Sequence, residues 1–236
     1  MNALVGLRDV TKVYGEGDTK VTALDHVTVD FREGEFTSIM GPSGSGKSTM
    51  MHVLAGLDNP TGGQILIEGN DITRMNDDSL TKLRRERIGF IFQSFNLVPT
   101  LDAKANILLP MRLSGKRVDT EWLDAVVRIL GLEERLTHRP SELSGGQQQR
   151  VAVARALVMK PAVIVADEPT GNLDSHSSDE VLSLLRGAVD ELGQTVIMVT
   201  HDPESALRGD RVLVVRDGRV VADLDHPELE QIAQVH

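Results

Sequence analysis

The chain contains no cysteine. Disulfides and thiol chemistry are therefore excluded, and a cytosolic setting fits. It also lacks a long hydrophobic run. Stretches such as AVIVA at 162–166 fall far short of the roughly 20 apolar residues that cross a bilayer. Work at a membrane would need a membrane partner. The opening MNALVGLRDV has no charged, apolar and cleavable succession, so no signal peptide is expected. Excess positive charge is missing too. With 25 Lys and Arg against 35 Asp and Glu, the formal charge is −10. That is the reverse of the balance that holds nucleic acid, and no nucleic-acid partner is expected. Repeats and low-complexity tracts are absent. What remains is an ordinary globular composition, 40% hydrophobic and 25% charged, long enough for one sizeable core with an inserted subdomain.

The order of patterns predicts an α/β protein. The opening third reads as β: Val27, Val29 and Phe31 alternate, Gly34 breaks the run, and 36–40 is continuously apolar. A glycine loop follows, then an apolar-rich helix that stops near Gly56. IGFIFQ (88–93) reads as a short buried strand ending on Gln93. The pattern then turns helical to about residue 160. Within it, Asp119 is the expected cap of a helix with an apolar stripe through Trp122, Val126 and Ile129, stopped at Gly131. AVIVAD, TVIMVT and RVLVVRDGRVVAD return to strands, the last a hairpin about Asp217-Gly218. A helix between the first two is expected to open with a capping box, Ser177 to Glu180, and to stop at Gly193. The basic run KLRRER (82–87) reads as a solvated helix face. The tail DHPELEQIAQVH carries no signal.

GPSGSGKST comprises Gly41, Pro42, Ser43, Gly44, Ser45, Gly46, Lys47, Ser48 and Thr49. It has the spacing of a phosphate-binding loop between a strand and a helix. Its glycines let backbone N–H groups turn inward on phosphate oxygens, and the helix N-terminus adds partial positive charge. Lys47 is expected to reach the β- and γ-phosphates, and the Ser48 hydroxyl to ligate Mg²⁺. VIVADE ends a strand on two carboxylates. Asp167 suits the water shell of a hard cation. Glu168, one residue on and facing the other way, suits a general base that polarises the attacking water. His201 follows the strand TVIMVT, and Gln93 follows IGFIFQ. Ligands gather at the carboxyl ends of parallel strands, so both are candidates, His201 for the γ-phosphate.

SELSGGQQQR (141–150) poses a separate question. Ser144 and Gln147 have the form of a capping box, which leaves Gly145 and Gly146 unexplained. Each glycine in a first helical turn costs up to about 1 kcal/mol relative to alanine. Two in a row imply that something approaches the backbone, and an anion at a helix N-terminus is the natural occupant. The stretch has no lysine. The phosphate is therefore expected to come from another copy of the chain.

Together GPSGSGKST, Gln93, LSGGQ (143–147), VIVADE, GNLD (171–174) and His201 resemble the nucleotide-binding subunit of ATP-binding cassette (ABC) transporters, over essentially the whole chain. LSGGQ is close to diagnostic; a P-loop alone is not. The resemblance implies a single P-loop NTPase domain, α/β with a mostly parallel sheet, an N-terminal antiparallel β subdomain and an inserted helical subdomain. The core would take 1–93 and 161–236, and the helical part 94–160. It implies ATP and Mg²⁺ as cofactors. Tyr14, in KVYG, would stack on adenine. Gln93 would join Ser48 and Asp167 at the metal, and Lys47, Gln93, Glu168 and His201 would serve catalysis. Two copies would pair head to tail, with Ser144, Gly145, Gly146 and Gln147 on the partner's γ-phosphate and Asp174 near the interface. The partner would be an integral membrane permease held against the region after Gln93, leaving the chain peripheral on the inner face of the membrane.

LRRERIGFIFQSFNLVPTLDAKANILLP and DEPTGNLDS are most similar to the group of macrolide exporters and lipoprotein-release ATPases, whose permeases have few spans and large extracytoplasmic domains. The group often has Glu where this chain has Ala105. Export or force transmission is therefore the expected role. An importer ATPase and a cell-division or cell-wall regulator are the alternatives, and a translation or DNA-repair ATPase is disfavoured by the single P-loop.

Overall fold

Along the chain, β1 (Ala3–Tyr14) and β2 (Val21–Arg32) precede β3 (Phe36–Met40), α1 (Lys47–Leu54), β4 (Gly62–Ile67) and β5 (Asn70–Asp71). Then come α2 (Asp77–Arg87), β6 (Ile88–Phe92), α3 (Ala103–Ile107), α4 (Leu109–Ser114), α5 (Thr120–Ile129) and α6 (Gly145–Leu157). The last third holds β7 (Val163–Asp167), α7 (Ser175–Leu192), β8 (Thr195–Val199), α8 (Pro203–Ala206), β9 (Arg211–Arg216), β10 (Arg219–Asp225) and α9 (Leu229–Val235). The structure is a computed structural model that describes residues 3–235.

The strands form two sheets. One is four-stranded and antiparallel, in the order β2-β1-β4-β5. The other is six-stranded, in the order β10-β9-β3-β8-β7-β6, and parallel except for the β9–β10 hairpin. The expected mixture of a mostly parallel sheet and an antiparallel N-terminal one is present.

The continuous apolar runs of β7 and β8 have a simple cause: both faces of the parallel sheet are covered. Ile164, Ala166, Val196 and Met198 pack in one cluster with α3, α5, α6 and α7. The alternate residues Val163, Val165, Ile197 and Val199 join a second cluster with α1 and the antiparallel sheet. α9, from the uninformative tail, buries Ile232 against Met40, Val212 and Val214.

Most caps stand where the sequence placed them, and one does not. Asp119 caps α5 by accepting from Trp122 N, and Gly193 ends α7 in the left-handed conformation. On α5 the buried stripe is Leu123, Val126, Val127 and Leu130. Trp122 and Ile129 flank it, and the Trp122 indole N–H donates to Leu157 O at 3.1 Å. α7 starts three residues earlier than expected. Its cap is Asp174, which accepts from both Ser177 N and Ser177 Oγ. Glu180, the expected closing member of a Ser177 box, instead pairs with Arg150 at 2.6 Å. The basic run is not a merely solvated face either. Arg84 donates to Gly56 O, Arg85 to Leu113 O, and Arg87 pairs with Glu68. Three arginines thus tie α2 to its neighbours.

Candidate active site

Residues 41–46 form a loop whose shape depends on two glycines. Gly46 has φ 104°, a conformation that side chains disfavour. A Cβ there would stand 2.3 Å from Ala23 O. A Cβ on Gly41 would meet Val215 O at 2.0 Å. The loop is braced from below by the β9–β10 turn: Gly218 N donates to Ser45 O, and Gly218 O accepts from Asp25 N, each at 2.9 Å. No local sequence signal joins that hairpin to the loop 170 residues earlier.

Lys47 opens α1 and lies almost wholly buried. Its ammonium donates to Gly41 O at 2.8 Å and Pro42 O at 2.9 Å. Burial pulls its pKa down, against the opposing pull of Glu168 and Asp167. Ser45 Oγ is buried without a partner. The first-turn N–H groups of α1 have no intrahelical acceptors, as at any helix start. A buried cation, an orphaned hydroxyl and a helix N-terminus around one glycine cradle fit a phosphate chain.

Sheet register assembles the rest. Phe92, Asp167 and Val199 lie side by side, and Val199 pairs with Ile39. Gln93, Glu168 and the pair Thr200-His201 therefore leave the sheet along the same edge as Gly41. The Asp167 carboxyl is raised above the usual range, first by burial. His52 opposes this, the charge of Glu168 adds to it, and Lys47 opposes it.

Glu168 has φ 43°, and its N–H donates to Val199 O at 2.9 Å. This left-handed step re-aims its carboxylate, and Oε1 lies 3.1 Å from His201 Nδ1. Such strain in a non-glycine residue is held only where the surroundings impose it. Glu168, His201, Ser205 and Arg208 help line a cleft of about 390 Å³.

Gln93 and Asn172 exchange hydrogen bonds. Gln93 Nε2 donates to Asn172 Oδ1 at 3.2 Å, and Asn172 Nδ2 donates to Gln93 O at 3.1 Å. Gly171 lies beneath, where a Cβ would come within 2.7 Å of Gln93 Nε2. Gln149 is fully buried and donates to Pro169 O at 2.5 Å and Phe92 O at 3.4 Å. It links α6 to both strand-end segments. Its spacing gave no hint of this, since its partners are backbone atoms set by the tertiary fold.

The Ser144–Gln147 capping box is complete: Gln147 N donates to Ser144 Oγ, and Ser144 N to Gln147 Oε1. The two glycines meet groups of the same chain. A Cβ on Gly145 would lie 3.3 Å from Leu173, and one on Gly146 would lie 3.1 Å from Ser177. Packing within the chain therefore accounts for part of what the sequence assigned to an outside phosphate. Neither side-chain hydrogen bond of this box goes to the loop 41–49. Asp174 is engaged as the α7 cap, which holds its carboxyl below the usual range through Ser177. Tyr14 ends β1, with its hydroxyl on Asp58 and the Thr49 hydroxyl beside it.

The family model described as ABC transporter matches residues 24–171. A macrolide export ATP-binding/permease protein, MacB, from Brucella melitensis is 48% identical over 222 residues, which are 93% of this chain and 34% of that protein. The chain thus spans about a third of the length of such relatives. An uncharacterized ABC transporter ATP-binding protein from Thermotoga maritima is 49% identical, covering 93% of this chain and 94% of its own. Among solved structures, an ATP-binding cassette from Methanocaldococcus jannaschii, dimeric and bound to ADP and Pi in a post-hydrolysis state, superposes with TM-score 0.84 at 43% identity. The match covers 95% of this chain and 99% of that one.

Proposed function

The chain belongs to the ABC transporter family, and we propose that it is an ATP-binding and hydrolysing subunit that pairs head to tail with a second copy and drives a separate membrane permease, in export or in force transmission. One observation carries the reading. The chain has two glycine-rich helix starts, at Lys47 and at Ser144, and only the first has a lysine. The lysine-free end completes a site only by meeting the loop of a second copy. The dimeric cassette from Methanocaldococcus jannaschii supports that pairing.

In the closed pair, Lys47 exchanges the carbonyls of Gly41 and Pro42 for phosphate oxygens. The α1 N-terminus and the partner's Ser144–Gln147 end hold the same triphosphate from two sides. The donors for Mg²⁺ are hard oxygens: the Ser48 hydroxyl, the Asp167 carboxylate and the Gln93 amide oxygen. Gln93 gives its amide nitrogen to Asn172, which leaves that oxygen for a cation. A carboxyl raised by burial is one that an adjacent dication would ionise. Held there, Mg²⁺ would supply positive charge against the charge that develops on the γ-phosphoryl group. Glu168 takes the proton of the attacking water, a role worth about 10²–10⁴ in rate. His201 holds the Glu168 carboxylate through Nδ1 and turns its other ring nitrogen toward the γ-phosphate.

Immediately before Gln93, an apolar groove of about 490 Å³ is lined by Leu57, Phe90, Phe92, Leu109 and Leu113. Leu57 and Leu113 are exposed. Such a groove beside Gln93 suits an amphipathic segment of the permease. The name of the Brucella relative joins ATP-binding and permease parts in one protein and supports export. The departure at Ala105 leaves the neighbouring Asn106 intact: it is fully buried and bonded to Val98, Leu101 and Asp102. Among the described residues no helix is long and apolar enough to cross a membrane. Attachment at the inner face would therefore run through the permease.

The test is a tagged Glu168→Gln variant purified in mild detergent with ATP and Mg²⁺. It should trap ATP, elute as a dimer and carry a stoichiometric membrane permease. A monomer at saturating nucleotide would sink the composite site. Recovery of ribosomes or nucleic acid in place of a permease would sink the membrane role.

A further inference from the structure

Tyr14 is the single tyrosine of the chain, and it is held from two directions. Its hydroxyl donates to Asp58 Oδ2 at 2.7 Å. The other oxygen of Asp58 accepts from Lys12 Nζ at 2.6 Å, and the same ammonium donates to Asn59 O at 2.7 Å. Lys12 Nζ also stands 4.8 Å from the centroid of the Tyr14 ring. Lys12 and Tyr14 are two apart on β1 and so share a face.

These are not loose surface groups. The Lys12 side chain is 12% exposed and that of Asp58 33%. Asp58 is anchored in turn, because its N–H donates to His52 O just after the P-loop helix. The Thr49 hydroxyl at the start of that helix also faces Tyr14. Tyr14 as a whole remains 42% exposed. The network thus ties the end of β1 to both ends of α1, with an ammonium over the ring and part of the ring open.

We propose that Lys12 and Asp58 are positioning residues for the nucleotide base: they pin the Tyr14 ring beside the P-loop helix, with Lys12 over one face and the other presented to a purine. The inference rests on the reading that Tyr14 stacks on adenine, and it adds what makes that stack effective. A ring already ordered by a charge-assisted hydrogen bond and a cation–π contact loses less rotational freedom when a base lands on it. Every base has a π-face, so the clamp strengthens ATP and GTP alike and leaves the phosphate contacts unchanged.

The experiment compares the intact protein with Asp58→Asn, Lys12→Met, Tyr14→Phe and Tyr14→Ala. Steady-state ATPase and GTPase kinetics are measured, with inorganic tripolyphosphate as a competitor that has no base. Asp58→Asn and Tyr14→Phe should each raise KM for both nucleotides about three- to tenfold, the scale of a weakened stack. kcat and the tripolyphosphate inhibition constant should stay unchanged. Tyr14→Ala should raise KM further.

Tyrosinate absorbance reports Tyr14 alone. Burial first, and then Asp58, hold that phenol above its ordinary pKa, with Thr49 opposing. Asp58→Asn should therefore shift the titration down while circular dichroism over the same pH range shows the chain still folded, because unfolding would itself return the phenol to its ordinary value. Tyr14→Phe, on a partly exposed ring, guards against a variant that fails to fold. If Tyr14→Ala raises KM while Tyr14→Phe and Asp58→Asn do not, the clamp is refuted and the stacking stands. If Tyr14→Ala leaves KM unchanged, the base-stacking reading falls and the clamp falls with it.

Discussion

Gly146 and Ser177 face each other so closely that a Cβ on the glycine would stand 3.1 Å from both Cβ and Oγ of the serine. This contact joins the first turn of α6 to the first turn of α7. It gives the glycine a reason to exist within one chain, before any second copy arrives.

Gly146→Ala separates the two reasons. Alanine gains up to about 1 kcal/mol of helix propensity, and Ser177 must yield a few tenths of an ångström. The melting temperature should change little, while ATP-driven dimerisation on a sizing column and ATP turnover are lost. A variant that melts far earlier and still dimerises would make Gly146 a packing glycine only.

Asn172→Ala removes both hydrogen bonds that hold Gln93. Without them the Gln93 amide oxygen should present itself to the metal less often, and basal ATPase should fall about two- to fivefold, a loss of about 1 kcal/mol or less. The pair is exposed, so stability should move by less than about 1 kcal/mol. Unchanged basal turnover would mean that Asn172 does not position Gln93.

Gln149→Leu leaves the Pro169 carbonyl without its donor and also removes a buried Oε1 that has no partner. The first costs about 1–3 kcal/mol, and the second offsets part of it. A net loss of about 1–2 kcal/mol is expected in urea denaturation. Turnover should fall more than binding, because the strut between α6 and residues 92 and 169 is gone.

Arg211 holds Asp223 by two hydrogen bonds of 2.6 Å, with side chains 6% and 49% exposed. The Arg211 hydrogen bond is the main reason the Asp223 carboxyl lies below its usual range; burial opposes it, and the charges of Arg211 and Arg32 assist. A depressed folded pKa contributes stability above the unfolded value, near 3.9, and loses it as pH falls through the folded one. Asp223→Asn should cost about 1 kcal/mol at pH 7, reduced by the half-exposed carboxylate. In thermal melts the gap from the parent protein should close as pH falls through the depressed folded value, where Asp223 itself becomes neutral. A constant gap at all pH values would assign the effect to packing.

Much of this protein was legible in its sequence for local reasons. A glycine loop between a strand and a helix, apolar runs that end in Asp167, Gln93 and Thr200, and a Ser144–Gln147 box each follow from backbone geometry over a few residues. The α7 start was misjudged because Ser177 and Asp174 are both sound caps. Tertiary pairing of Glu180 with Arg150 left Asp174 to fill the role. The arginines of 82–87 looked solvated because their acceptors, Gly56 O and Leu113 O, lie about 28 residues away.

The sequence by itself determined the elements, their order and the identity of the chemical groups, because periodicity, caps and motif spacing are short-range. Tertiary structure decided which groups meet. The Asp217-Gly218 turn braces Ser45, Gln149 joins α6 to two strand ends, Asn172 holds Gln93, and Asp58 holds Tyr14. Each of these contacts spans at least 20 residues; the first two end on backbone carbonyls that carry no residue identity, and the last two pair side chains that only the tertiary fold brings together. That is the physical reason no local pattern announces them.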